Sequence, residues 1–197
     1  ATMDPSVEAS YGLISNGSVL VRNGQIAWVG PTSSIPKIHA GLPRHEHLNG
    51  LVTPHLIDCH THMVAGGNRA KEFELRLEGA TYEQIARSGG GIVSTVMATR
   101  EADEEVLLRD ALGRADALIA EGAGLLEIKS GYGLDIETEL KMLRVARQVG
   151  KHRPVRVTTS FLGAHAVPPE YENSADRYID EVCIPSLRAA HMEGLVD

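Results

Sequence analysis

From residue 51 onward strand-like and helix-like segments alternate, and this order constrains the fold more than any other feature. Residues 51–59 read as a buried strand. Residues 81–87 read as a short helix, followed by the flexible break Gly89-Gly90-Gly91. Residues 103–121 carry helical periodicity, with acidic residues in the first turn and Gly122 as the stop. Residues 125–129 form a second strand. Residues 135–149 are an amphipathic helix with Ile136, Leu140, Leu143 and Ala146 or Val149 on one face and Gly150 ending it. A third strand, rich in Val and Thr, covers 155–162, and a last helix spans about 175–193, kinked near Pro185. Parallel strands need long crossovers, which helices supply. The order therefore predicts an α/β fold with a parallel sheet.

Residues 1–50 differ in texture. Two short β-rich runs, 18–22 and 25–29, flank Asn23-Gly24, the favoured two-residue hairpin turn, and Gly30-Pro31 stops the second run. Two domains are expected: a small β element over 1–50 and an α/β domain over 51–197. Three strands of the second domain end in polar groups: His60 and His62, then Ser130-Gly131-Tyr132, then His165. Chemistry at the carboxyl ends of successive parallel strands is the habit of (β/α)8 barrels. Such a TIM-like barrel takes about 250 residues, and 147 follow position 50. The chain reads as the amino-terminal part of one.

The hydrophobic fraction, 43%, suffices for a core, and the net charge of −7 argues against a general nucleic-acid binder. Two distant cysteines, Cys59 and Cys183, fit a reduced cytoplasmic setting, and no signal peptide or membrane-length apolar run is seen. A cytoplasmic protein with no membrane association is the expectation.

Side chains at i and i+2 of a strand share a face, so His60 and His62 project together and can grip one divalent cation. Asp58 and Thr61 could orient the imidazoles from behind. His45-Glu46-His47 has the same spacing but sits in a polar loop with no strand to aim it. Arg69, after Gly66-Gly67-Asn68, could hold a carboxylate with its planar fork, or pair on the surface with Glu72. Tyr132, between two glycines, could donate to a substrate or stand as a wet turn tyrosine. Lys129 suits an ion pair with Glu127 better than a carboxylated bridge between metals. His165 could polarise a carbonyl, bind metal or cap its strand. Cys59 should point opposite to His60 and reads as a core thiol.

Leu51-Val52-Thr53-Pro54, with Leu56-Ile57-Asp58-Cys59-His60-Thr61-His62, resembles the first barrel strand of the amidohydrolase superfamily. Gly67-Asn68-Arg69-Ala70, Gly79-Ala80-Thr81-Tyr82, Gly89-Gly90-Gly91-Ile92, residues 127–134 and residues 161–166 before Pro168-Pro169-Glu170-Tyr171 resemble the imidazolonepropionase family of histidine degradation. The resemblance implies metal-dependent hydrolysis of 4-imidazolone-5-propanoate to N-formimidoyl-L-glutamate, with one Zn or Fe ion in a barrel beside a composite β domain. It implies His60 and His62 as metal ligands and Arg69, Tyr132 and His165 as substrate contacts, with Tyr82 a weaker one. It also implies a homodimer for the intact enzyme. The family chain is about twice as long, and its remaining metal ligands lie beyond Asp197, so this chain assigns no catalytic residue of its own. His55 departs from the family's glycine and must find room beside the first strand.

Overall fold

The computed structural model describes the chain except residues 40, 47–49 and 88, and the side chains of residues 82, 86 and 87. It divides into two compact units, Ala1–Pro54 and His55–Asp197. In the first, β1 (Gly17–Arg22) and β2 (Gln25–Pro31) form an antiparallel hairpin. Asn23 and Gly24 both have positive φ, as a primed two-residue turn requires. Arg22 faces Gln25, and an irregularity after Leu20 shifts the register, so Val21 faces Ile26. The open end is tied where Thr32 donates from both its backbone N–H and its hydroxyl to the Asn16 carbonyl.

The second unit is a mixed α/β layer. Its parallel sheet has the order β3 (Leu56–Thr61), β4 (Ala123–Lys129), β5 (Arg156–Ser160). Between β3 and β4 lie α1 (Ala70–Leu77), α2 (Tyr82–Arg87), α3 (Ile92–Glu101) and α4 (Glu104–Ala120). After β4 comes α5 (Ile136–His152). After β5 come α6 (Ala175–Tyr178), a π-helical turn (Ile179–Cys183) and α7 (Ile184–Met192).

The long helices start where the sequence says they should. Asp103 caps α4 by accepting from the Val106 N–H at 2.8 Å, and Asp135 caps α5 by accepting from Thr138 at 2.8 Å. Leu126 and Ile128 of β4 pack against Leu107, Ala111 and Ala115 of α4 and against Met142, Val145, Ala146 and Val149 of α5. Burying each large aliphatic side chain contributes about 1.5–3 kcal/mol. α5 is covered on a second side, where Leu140 and Leu143 meet Ala190 of α7 and Leu195. Two buried flanks explain why its buried face is wider than a single stripe. Ile136, in the first turn, stays exposed.

Several sequence expectations change. The first strand begins at Leu56, not at 51, and is not buried: Leu56 and Ile57 are 61% and 64% exposed. Among the described residues it has one lateral neighbour, β4, which leaves its other edge bare. Cys59 is exposed for the same reason, so it is not a core thiol. Gly150 does not end α5, which continues to His152. A Cβ at Gly150 would stand 3.2 Å from Val157 Cγ2, so the glycine lets the helix lie close on β5. The helix stops instead at Arg153, whose extended φ/ψ is what the following Pro154 favours. The sequence pattern predicts neither α1 nor α3, yet both form. The kink near Pro185 is resolved as the π turn just before it, with Pro185 at the start of α7.

Candidate active site

The carboxyl ends of the three parallel strands bring four rings together. His60 lies in β3 and His62 one residue beyond its end. Their ring centroids are 5.6 Å apart. Tyr132, just after β4, stands 4.9 Å from His62, and His165, after β5, stands 5.6 Å from His62 and 6.0 Å from Tyr132. Asp58 does not reach an imidazole; its carboxylate accepts from the backbone N–H of His60 at 3.0 Å.

The turn that carries Tyr132 is organised by Glu139, a residue the sequence did not single out. Glu139 is fully buried in the first turn of α5, and its Oε1 accepts from Gly133 N–H at 2.8 Å and Leu134 N–H at 2.9 Å. Arg100 of α3 donates to the Gly133 carbonyl at 2.7 Å from the other side. The signal was available: an acidic residue stands among α5's buried neighbours, where it needs backbone donors. Ser130 ties this turn to the next, since its hydroxyl accepts from Leu162 N–H at 3.2 Å.

His165 is oriented by its own loop. Its Nδ1 donates to the Leu162 carbonyl at 2.7 Å, so in the neutral ring Nε2 carries the lone pair. The ring lies against Gly131, whose φ is +115°, a region closed to side chains. A Cβ there would sit 2.8 Å from His165 Cε1. Gly131→Ala is therefore expected to displace both the tyrosine turn and the His165 ring. Any activity that depends on this turn should fall at least about tenfold, the cost of some 1.4 kcal/mol in the transition state. Steady-state kinetics with a circular dichroism control check it.

His62 is half-buried, and its Nδ1 is buried with no hydrogen-bond partner. Burial is the main cause that holds its pKa below the usual histidine value. His165, His60 and Lys129 push the same way, and the Ser130 backbone partly opposes them. A neutral imidazole with an unused ring nitrogen suits a metal ligand. Two imidazoles on one zinc, with Zn–N near 2 Å, place their centroids about 5 Å apart, close to the observed spacing. The pair thus fits as part of a coordination sphere. Among the described residues no group of three or more His, Cys, Asp or Glu is arranged to hold a metal ion.

Lys129 Nζ is 2.7 Å from Glu127 Oε1, which makes it an ion-pair lysine. Arg69 does not pair with Glu72. Its Nε donates to Thr95 Oγ1 at 3.0 Å, while Glu72 accepts from Gly91 N–H and Ser94 Oγ, both at 2.9 Å. Gly90 N–H also donates to the Ile85 carbonyl at 3.0 Å, so the glycine run is a bonded turn, not a free one. His55 finds its room over Gly124, where a Cβ would run into the imidazole. His47 and the Tyr82 side chain lie outside the described residues. No helix among the described residues is long and apolar enough to cross a membrane.

No family model matches the chain. Curated relatives do. The chain is 64% identical over 190 residues to the imidazolonepropionase of Roseobacter denitrificans, covering 96% of this chain and 48% of that protein. It is 61% identical over 187 residues to that of Ruegeria pomeroyi, covering 95% and 47%. It is 58% identical over 196 residues to that of Paracoccus denitrificans, covering 100% and 49%. The resemblance read from the motifs thus extends along nearly the whole chain, which spans about half the length of the curated relatives it matches.

Proposed function

We propose, from the premise that nearly all of this chain is shared with imidazolonepropionases, that it forms part of a metal-dependent hydrolase. That enzyme opens the ring of 4-imidazolone-5-propanoate to give N-formimidoyl-L-glutamate. The observation that carries the reading is the convergence of His60, His62, Tyr132 and His165 at the carboxyl ends of three parallel strands. That placement, with helices crossing between the strands, also supports a (β/α)8 barrel as the complete architecture.

His60 and His62 would hold one zinc or iron ion. A bound metal ion supplies Lewis acidity toward a carbonyl oxygen and lowers the pKa of water. In the reaction, water adds its oxygen to the ring carbonyl carbon, the bond from that carbon to the ring nitrogen breaks, and the nitrogen takes a proton. The carbonyl carbon becomes a carboxylate still attached to the product, and the second proton of the water passes to solvent. Arg69 holds the propionate carboxylate through its guanidinium. Tyr132 donates its phenolic O–H to a polar atom of the ring, and His165 offers its Nε2 lone pair to a ring N–H. The tie from Ser130 to Leu162 keeps the last two in a fixed relation.

The full-length protein, loaded with zinc or iron, is expected to release formimidoyl-glutamate from imidazolonepropionate and to stop when the metal is chelated. Mass spectrometry of the product checks it. An intact, metal-loaded protein that leaves this substrate untouched yet opens another cyclic amide would move the chain to a different amidohydrolase activity.

A further inference from the structure

The loop that follows His62 is held by α3. Gly66 N–H donates to Thr99 Oγ1 at 2.9 Å, and Thr99 Oγ1 donates to the Thr95 carbonyl at 2.7 Å. One turn earlier, Thr95 Oγ1 accepts from Arg69 Nε at 3.0 Å. Residues four apart share a helix face, and both threonines are buried. The loop lies flush on that face, since a Cβ at Gly66 would run into the Ala98 carbonyl. From α4, Arg114 Nη1 donates to the Met63 carbonyl at 2.8 Å and the Ala65 carbonyl at 3.2 Å. The segment from Met63 to Arg69 is thus fixed along its length, and its last anchor is the arginine side chain itself.

A guanidinium carries five N–H donors in one plane. With Nε–H given to Thr95, the side-on fork made of Nε and one Nη is taken. The Nη1/Nη2 edge remains, and among the described residues nothing bonds it. A carboxylate approaching Arg69 therefore meets one geometry, the end-on bidentate fork.

We propose that Thr95 is a positioning residue: its hydroxyl locks Arg69 into the end-on orientation and so sets the preference for a substrate that carries a carboxylate. This rests on the reading of Arg69 as the carboxylate contact. Freed from Thr95, the arginine regains rotamers that it must lose again on binding, which weakens the carboxylate contact while leaving the ring chemistry in place.

The test uses the full-length metal-loaded protein with Thr95→Val, Thr95→Ser and Arg69→Met variants. Thr95→Val keeps the shape and removes the acceptor; Thr95→Ser keeps the acceptor. In wild type and Thr95→Ser the Arg69 Nε–H should give a slowly exchanging resonance in arginine-labelled protein, and in Thr95→Val it should exchange fast. KM for the carboxylate substrate should rise about tenfold in Thr95→Val, as expected for losing one hydrogen bond to a charged group. kcat should stay within about threefold. KM for the neutral carboxamide analogue should not move, and the Thr95→Val effect should vanish in the Arg69→Met background. A Thr95→Val protein with a protected Nε–H and wild-type KM overturns the positioning role. If Thr95→Val frees the Nε–H but Arg69→Met leaves KM untouched, the proposal falls through its premise and not through Thr95.

Discussion

His62→Ala is expected to leave the fold intact, to strip the metal from the full-length protein and to lower turnover by about a thousandfold or more. The fold should survive because the ring lies at the rim of a strand end, not in the core. The loss of activity should be large because a metal contributes several kcal/mol of charge stabilisation, and each 1.36 kcal/mol is a factor of ten. Metal content by atomic emission, kcat and far-ultraviolet circular dichroism on the same sample separate the three outcomes. Cys59→Ser is the matching control. Cys59 is exposed next to the histidines, and its substitution should leave metal content and turnover at wild-type levels. A His62→Ala protein that retains stoichiometric metal would remove His62 from the coordination sphere.

Glu139→Ala is the second large effect, and it falls on stability. The substitution leaves the Gly133 and Leu134 N–H groups buried without an acceptor, at about 1–3 kcal/mol each. Release of the carboxylate's own burial cost offsets part of this, since Glu139 Oε2 has no partner. A net loss of about 3 kcal/mol in urea unfolding is expected. Glu139→Gln keeps an acceptor oxygen for both donors and should lose about 1 kcal/mol. Turnover should follow the same order, because these bonds shape the turn that presents Tyr132.

The parts of the fold that were legible had local causes. α4 was legible through its periodicity, its acidic first turn and Gly122, and α5 through the apolar spacing of Leu140, Leu143, Ala146 and Val149. The hairpin followed from Asn23-Gly24 alone. That Tyr132 and His165 stand beside His62 could be read from their places at successive strand ends. α3 could not be read this way. Ile92-Val93-Ser94-Thr95-Val96 is rich in β-branched residues with weak helix propensity. It is helical because distant groups pay attention to its backbone: Lys141 reaches the carbonyls of Thr99, Arg100 and Ala102 at its carboxyl end, and the Met63–Arg69 segment bonds its threonines. α1 is short and has no buried residue, its apolar Phe73 and Leu77 standing exposed, so packing does not mark it either. Thr95 escaped for a related reason: it acts through Arg69 of another segment, and sequence spacing holds no record of such a contact. Glu139, whose partners Gly133 and Leu134 stand just before its helix, is the exception, legible as an acidic residue among apolar neighbours.

The π turn between Tyr178 and Cys183 has a consequence for the last helix. One residue more per turn rotates everything after it by about 100° relative to a continuous α-helix. The segment before the turn gives Tyr178 to the cluster with Val96 and Leu134, where its hydroxyl bonds the Gly163 carbonyl beside the His165 loop. The segment after it turns Ala190 toward Leu143 of α5. A single rod thereby serves two separate clusters. The extra residue acts as a phase shifter: Tyr178 and Ala190, about 120° apart on a continuous α-helix, come to face nearly the same side of the rod.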